Sequence, residues 1–295
     1  MQEKFPVFRP KRFCRCAVLF LAAATLAFGF RIVAAAQAPG SAAALPAGSA
    51  SLPDAPAAHL SSIGDVTIRN TPCNFLRDQA AIWTSPVRLR PRDIEWLAPL
   101  ALATGAAIAT DHRAMTQVVS QNTGFNNASI NASNALIGAW IAAPVAVYGY
   151  GHFGNNEHAR EAGILSAESM LDSVIVEQGM KLIFWRERPG VDSSRGRFFQ
   201  SSVGVDSSFP SSHSLIAWSA ASALAGETSS HWVQFALYSG AAGVSLTRVM
   251  GQEHFPSDVL VGSATGWLIG HYVVRRHHRG AREGQRTKII FPEVR

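Results

Sequence analysis

Charge and cysteine are both scarce in this 295-residue chain, with charged residues making up 16% of it and cysteine occurring three times. The low charge and the 47% hydrophobic fraction give enough apolar side chain to bury a large core, which suits one domain. Strand signals are also poor, because alternating apolar and polar residues are absent and small residues are abundant. The net charge of +6 suits an anionic partner. Its cations are not gathered into a stripe and no nucleic-acid motif occurs, so a nucleic-acid partner is excluded in favour of a small anion.

Lys4, Arg9, Lys11, Arg12 and Arg15 precede an apolar run from Ala17 to Phe30 and the small residues Ala34, Ala35 and Ala36. This order predicts a signal peptide over 1–36, cleaved after Ala36 and shorter than a stable span needs. Cys14 and Cys16 leave with it, so Cys73 is expected to stand alone in the mature chain. Residues 37–58 are rich in Ala, Pro, Gly and Ser and read as a flexible linker.

The rest reads as an all-α fold, a helical bundle of about six core helices over 59–275 followed by a basic tail, 276–295. The helical stretches are Trp96 to Thr110, Ala135 to Tyr148, Ala159 to Trp185, Ser211 to Ala225, Trp232 to Thr247 and Pro256 to Val274. A short amphipathic helix, Asn74 to Trp83, precedes them and docks on the domain or on a membrane surface. The Asn/Gly-rich stretches Ser120 to Asn134 and Gly149 to Asn156 read as connections. Gly262, Gly266 and Gly270 form a stripe at four-residue spacing that lets a neighbouring helix come close.

Three groups of residues carry chemistry. Lys181 and Arg188 lie seven residues apart, on one helix face, just before Pro189. Together they can clamp an anion, although singly such charges are often solvated. Phe209-Pro210-Ser211-Ser212-His213 opens an apolar helix, where orphan N–H groups and the helix dipole attract an anion and a histidine can exchange a proton with it. Arg248, His254 and Asp258 form the third group. The spacing from His254 to Asp258 lets the carboxylate reach one ring nitrogen and leaves the other as a nucleophile. Asp111-His112-Arg113 reads as a helix-end cluster outside this set, and His277 and His278 as part of the solvated tail.

In this order, Lys-x6-Arg-Pro, Pro-Ser-x-His and Arg-x5-His-x3-Asp resemble the type 2 phosphatidic acid phosphatase and vanadium haloperoxidase superfamily, which includes bacterial non-specific acid phosphatases. The resemblance covers Lys181 to Asp258 directly. It implies that His254 attacks phosphorus, that Asp258 orients it, and that His213 protonates the leaving oxygen and then activates water. It implies that Lys181, Arg188 and Arg248, with Ser211 and Ser212, hold the phosphate oxygens without a metal or other cofactor. Vanadate is expected as an inhibitor, or as a cofactor if the chain is a haloperoxidase. Ser212 and Thr247 stand where the family usually has Gly and Ser. The Ser212 departure keeps a third reading open, a phosphate-binding envelope protein without turnover.

The partner implied is a phosphorylated small molecule or lipid, and the location the exterior, periplasm or cell envelope. Against six membrane spans stand the short stretches from Trp96 and Ala135, and Glu161, Glu168, Asp172 and Glu177 on the third helix. The expectation is a mainly soluble exported domain. The alternative is an integral protein with its active site on the outer side.

Overall fold

The computed structural model describes residues 66–201 and 207–290, with side chains of the final helix described as far as His278. The predicted leader, 1–36, and linker, 37–58, lie outside the described residues. These residues form seven α-helices and no strand: α1 (Thr71–Thr84), α2 (Ile94–Arg113), α3 (Thr123–Phe153), α4 (Glu157–Phe184), α5 (Ser212–Gly226), α6 (His231–Met250) and α7 (Pro256–Ile290). The fold is the all-α bundle that the composition implies.

Helix α5 is the axis of the bundle and packs against α3, α4, α6 and α7. Its Ala and Ser residues suit this place, since Ala217, Ala220, Ala221 and Ala223 are fully buried and admit four neighbours at close range. One core layer joins Ile137, Trp140, Met170, Leu224 and Val244 around it. A second joins Leu165, Val176, Leu215, Ile269 and Val273. The glycine stripe of α7 lies against α5, where a Cβ on Gly266 would come within 2.2 Å of the Leu215 carbonyl oxygen. Any side chain there would push the two helices apart.

Three boundaries differ from expectation. Helix α3 begins at Thr123 rather than Ala135, because the Asn122 side chain accepts the Phe125 N–H at 3.0 Å and caps a run that composition alone assigns to a loop. Helix α7 continues to Ile290, so the first part of the basic tail is helical, and Arg276, His277 and His278 turn back to Asp78, Glu168 and Glu227. Cys73 is disulfide-bonded rather than a lone thiol; Cys14 and Cys16, the other cysteines, lie outside the described residues.

The arguments against six membrane spans hold in part. Helix α3 is 31 residues long, and it is the one helix among the described residues long and apolar enough to cross a membrane by length and composition. Glu168, Asp172 and Glu177 point into the protein, where they are buried, rather than outward.

Candidate active site

The three sequence groups arrive at one end of the bundle. Lys181 stands in the last turn of α4, and Trp185 ends that helix in a left-handed conformation (φ 39°) that redirects the chain to Arg188. Ser211 to His213 open α5, Arg248 closes α6, and His254 and Asp258 bracket the start of α7. Pro256 takes the first position of α7, and Asp258 reaches back to accept the Phe255 N–H at 2.9 Å, closing the helix start. Lys181, Arg188 and Arg248 all lie close enough to His213 and His254 to lower the basicity of both rings.

The tautomer of His254 follows from its partner. Nδ1 lies 2.7 Å from the Ser208 carbonyl oxygen, which can only accept, so Nδ1 carries the proton and Nε2 keeps its lone pair. The nearest Asp258 oxygen is 3.7 Å away. The expectation that Asp258 fixes the tautomer is therefore corrected: a backbone carbonyl does so, and the carboxylate supplies a compensating negative charge.

Asp258 is held from behind by Arg186, a residue sequence reasoning passed over. The Arg186 guanidinium is 1% exposed. It meets Asp258 Oδ1 at 2.5 Å and Asp111 Oδ2 at 2.7 Å, and its Nε donates to the Gly196 carbonyl at 3.0 Å. The rings of Phe198 and Phe255 flank it at 4.6 and 4.3 Å. Gly196 adopts φ +59°, and a Cβ there would strike Phe255 at 2.5 Å, so the turn that delivers its carbonyl requires glycine. Asp111, expected to be a helix-end charge, is instead a buried anchor that also binds the amide and hydroxyl of Ser257.

Carboxylates offset the cations. Glu177 accepts from Lys181 Nζ at 2.8 Å and from the Ser212 hydroxyl at 2.6 Å. Glu253 lies between Arg188 and Arg248, at 3.1 and 3.2 Å. The buried Arg248 Nε donor has no hydrogen-bond partner, which suits an anion arriving at this position. His213 Nε2 faces the Asn134 side-chain oxygen at 3.3 Å, which brings the supposed connecting loop into the site.

The serines are placed less simply. Ser211 is fully buried, its N–H donates to the Asp258 carbonyl at 3.1 Å, and its side chain caps nothing. Its amide is thus committed, and the anion-facing amides of α5 are those of the first turn beyond it. The Ser212 side chain turns to Glu177 rather than to an incoming phosphate. The Thr247 hydroxyl turns back to the Gly243 carbonyl at 2.9 Å, so neither departure from the family pattern narrows the site.

Burial, then the neighbouring cations, hold His213 down to about 3 and His254 well below the ordinary imidazole value. Burial pushes the Asp258 carboxyl up to about 6, against the pull of Arg186. Both histidines are therefore neutral near pH 6, and Asp258 is the group that titrates there. The resemblance implies that His254 becomes cationic as it attacks phosphorus, where a charged Asp258 would compensate it, so kcat/KM is expected to fall as pH drops through about 6. Asp258→Asn should retain the fold, lose about 100-fold in rate and lose this acid limb. The substrate's second ionisation, near 6, affects both proteins alike; an unchanged limb in the variant would assign it to the substrate.

An open apolar cavity of about 640 Å³ lies between α2, α5 and α7, lined by Trp96, Leu100, Trp218, Pro256, Val259 and Trp267 among others; none of the phosphate-site residues lines it. The described residues of loop 190–209, and Trp83, are not among its lining residues. Phe198 and Phe209 of that loop pack edge-on against Phe184 instead.

Searches of curated proteins and of solved structures returned no match to the chain. The PAP2 superfamily model matches residues 162–282, which include Lys181, Arg188, His213, Arg248, His254 and Asp258. That family is one of phosphatase-type enzymes, so the match supports phosphoester hydrolysis as the general chemistry. The stretch similar to the PAP2 superfamily, residues 162–282, runs from the second turn of α4 into the last third of α7.

Proposed function

We propose that this chain is an exported, membrane-associated phosphatase that hydrolyses phosphate esters through a phosphohistidine on His254. The observation that carries the proposal is the neutral His254, with the Nε2 lone pair left free beside Lys181, Arg188 and Arg248. In this reading the three cations hold the phosphate oxygens. Binding a dianion offsets their charge, so His213 gains basicity and a proton once substrate is seated. His254 Nε2 donates its lone pair to phosphorus as the phosphorus–oxygen bond breaks, and His213 gives its proton to the leaving oxygen. Water then attacks phosphorus, losing a proton to His213, as the phosphorus–nitrogen bond breaks and its electron pair returns to His254 Nε2, and phosphate leaves. The charge that spreads over the equatorial oxygens is stabilised by side chains, with no metal in the step.

The apolar cavity beside Pro256 and Val259 favours a lipid or isoprenoid phosphate over a fully polar ester. Outward-facing Leu102 of α2 and Ile141 and Val145 of α3 are exposed and favour contact with a bilayer. The test is phosphate release by the purified chain between about pH 4 and 8, from para-nitrophenyl phosphate and from detergent-dispersed phosphatidic acid, with vanadate as inhibitor. Release from the lipid at the higher kcat/KM supports the reading. Halide oxidation by peroxide with vanadate, and no phosphate release, would replace it with the haloperoxidase.

The Ser212 side chain bears on the alternative of a binding protein without turnover. Because that hydroxyl serves Glu177, Ser212→Gly should change kcat by less than about fivefold and cost about 1 kcal/mol of stability. A large gain in rate in the glycine variant would show that Ser212 had silenced the site.

A further inference from the structure

Three helices bring a second polar cluster together away from the phosphate site. Asp78 of α1, Glu168 of α4 and His277 of α7 each place a ligand atom within 4.8 Å of the others. Asp78 and Glu168 are fully buried. The His277 side chain is 9% exposed. Glu168 lies thirteen residues before Lys181, about 20 Å along the helix at 1.5 Å per residue.

The cluster is short of donors. Neither Glu168 oxygen accepts a hydrogen bond, and His277 Nε2, at 3.7 Å from Glu168 Oε2, makes none. Asp78 is ion-paired through Oδ1 to Arg276, while Oδ2 accepts no hydrogen bond. Asp172, one turn beyond Glu168, adds a third buried carboxylate; Gln79 donates to its Oδ1 at 2.8 Å and its Oδ2 has no hydrogen-bond partner. One guanidinium paired with the cluster leaves buried carboxylates that must be neutralised, by protons or by a further cation.

We infer that Asp78, Glu168 and His277 bind one divalent transition-metal ion of the zinc class. Two carboxylates and one imidazole are a mixed oxygen and nitrogen set, which suits zinc and its neighbours better than magnesium or calcium. Once bound, the ion neutralises the two carboxylate charges and fastens α1 to α4 and α7. Helix α1 also meets α4 through Gln79 and through Trp83, whose ring lies where a Cβ on Gly179 would meet it at 2.5 Å. The ion is thus a clamp on an outer helix, separate from the metal-free chemistry proposed for the phosphate site.

The test uses the full-length chain, stripped by a chelator and then titrated with zinc alone. It should take up about one equivalent and gain about 5 °C in Tm. Glu168→Gln and His277→Gln should each abolish both effects, while para-nitrophenyl phosphate hydrolysis stays within about twofold of the unmutated chain because the phosphate site is about 20 Å away. His277→Gln, at the least buried ligand, serves if Glu168→Gln does not fold. Uptake below about 0.1 equivalent with an unmoved Tm would overturn the inference, and so would zinc binding unchanged in both variants. Neither uptake nor Tm depends on turnover, so a failed phosphatase assay leaves this result intact.

Discussion

Replacing His254 with alanine is expected to lower phosphate release by about 10⁴-fold or more, the scale on which loss of a covalent nucleophile is felt. The ring sits at 1% exposure with Nδ1 fixed by a backbone carbonyl, so no other nitrogen in the site is placed to take its role. His213 lies across the same pocket, but its basicity is held down and it faces Asn134. The fold should survive, because the Arg186 network that supports the start of α7 makes no use of the imidazole. Circular dichroism and kcat measured together check this. A variant that is folded and retains a tenth of the rate would remove His254 from the mechanism.

Replacing Arg186 with leucine is expected to be the most destabilising single change near the site, by about 3–5 kcal/mol. The guanidinium compensates two carboxylates that are themselves at most 1% exposed, Asp111 and Asp258, which come from different helices. Without it both would be left charged or forced to take up protons in the interior. Arg186→Lys should rescue little, since a single ammonium cannot span two carboxylates and stack between Phe198 and Phe255. Urea denaturation monitored by the tryptophans reads the loss. A midpoint unchanged in the leucine variant would show that the pair contributes nothing net.

The residues proposed to form the phosphate site were legible because their spacing is local. His254 and Asp258 share a helix start, and a proline marked the place of Lys181 and Arg188, although the helix ends at Phe184 and Arg188 lies beyond it rather than on one helix face with Lys181. Their supports were not legible, because each partner comes from far along the chain. Asp111 and Arg186 are 75 residues apart, and Glu177 and Ser212 are 35 apart. A buried Arg186 differs in no way from a surface arginine until the fold encloses it. Glu177, one helical turn before Lys181, carried a local signal that its reading as a charge costly in lipid obscured.

Helix ends were misread where polar residues perform capping or packing. The asparagines after Ser120 resemble a loop by composition, yet Asn122 starts a 31-residue helix and Asn134 reaches the site from it. The basic residues after Val274 resemble a solvated tail, yet Arg276 and His277 answer buried carboxylates on α1 and α4. In both places the composition was read correctly and the partner was missing. The interior carboxylates supply the reason that the tail stays helical as it leaves the core.

Trapping the phosphoenzyme tests the central claim most directly. The purified chain is mixed with a ³²P-labelled phosphate ester, quenched within the first turnovers, and its labelled peptide identified. The account predicts an acid-labile, base-stable phosphoryl group on His254 that forms as fast as turnover and is absent from His254→Ala. Turnover without any trapped label, or label that persists in His254→Ala, would contradict it.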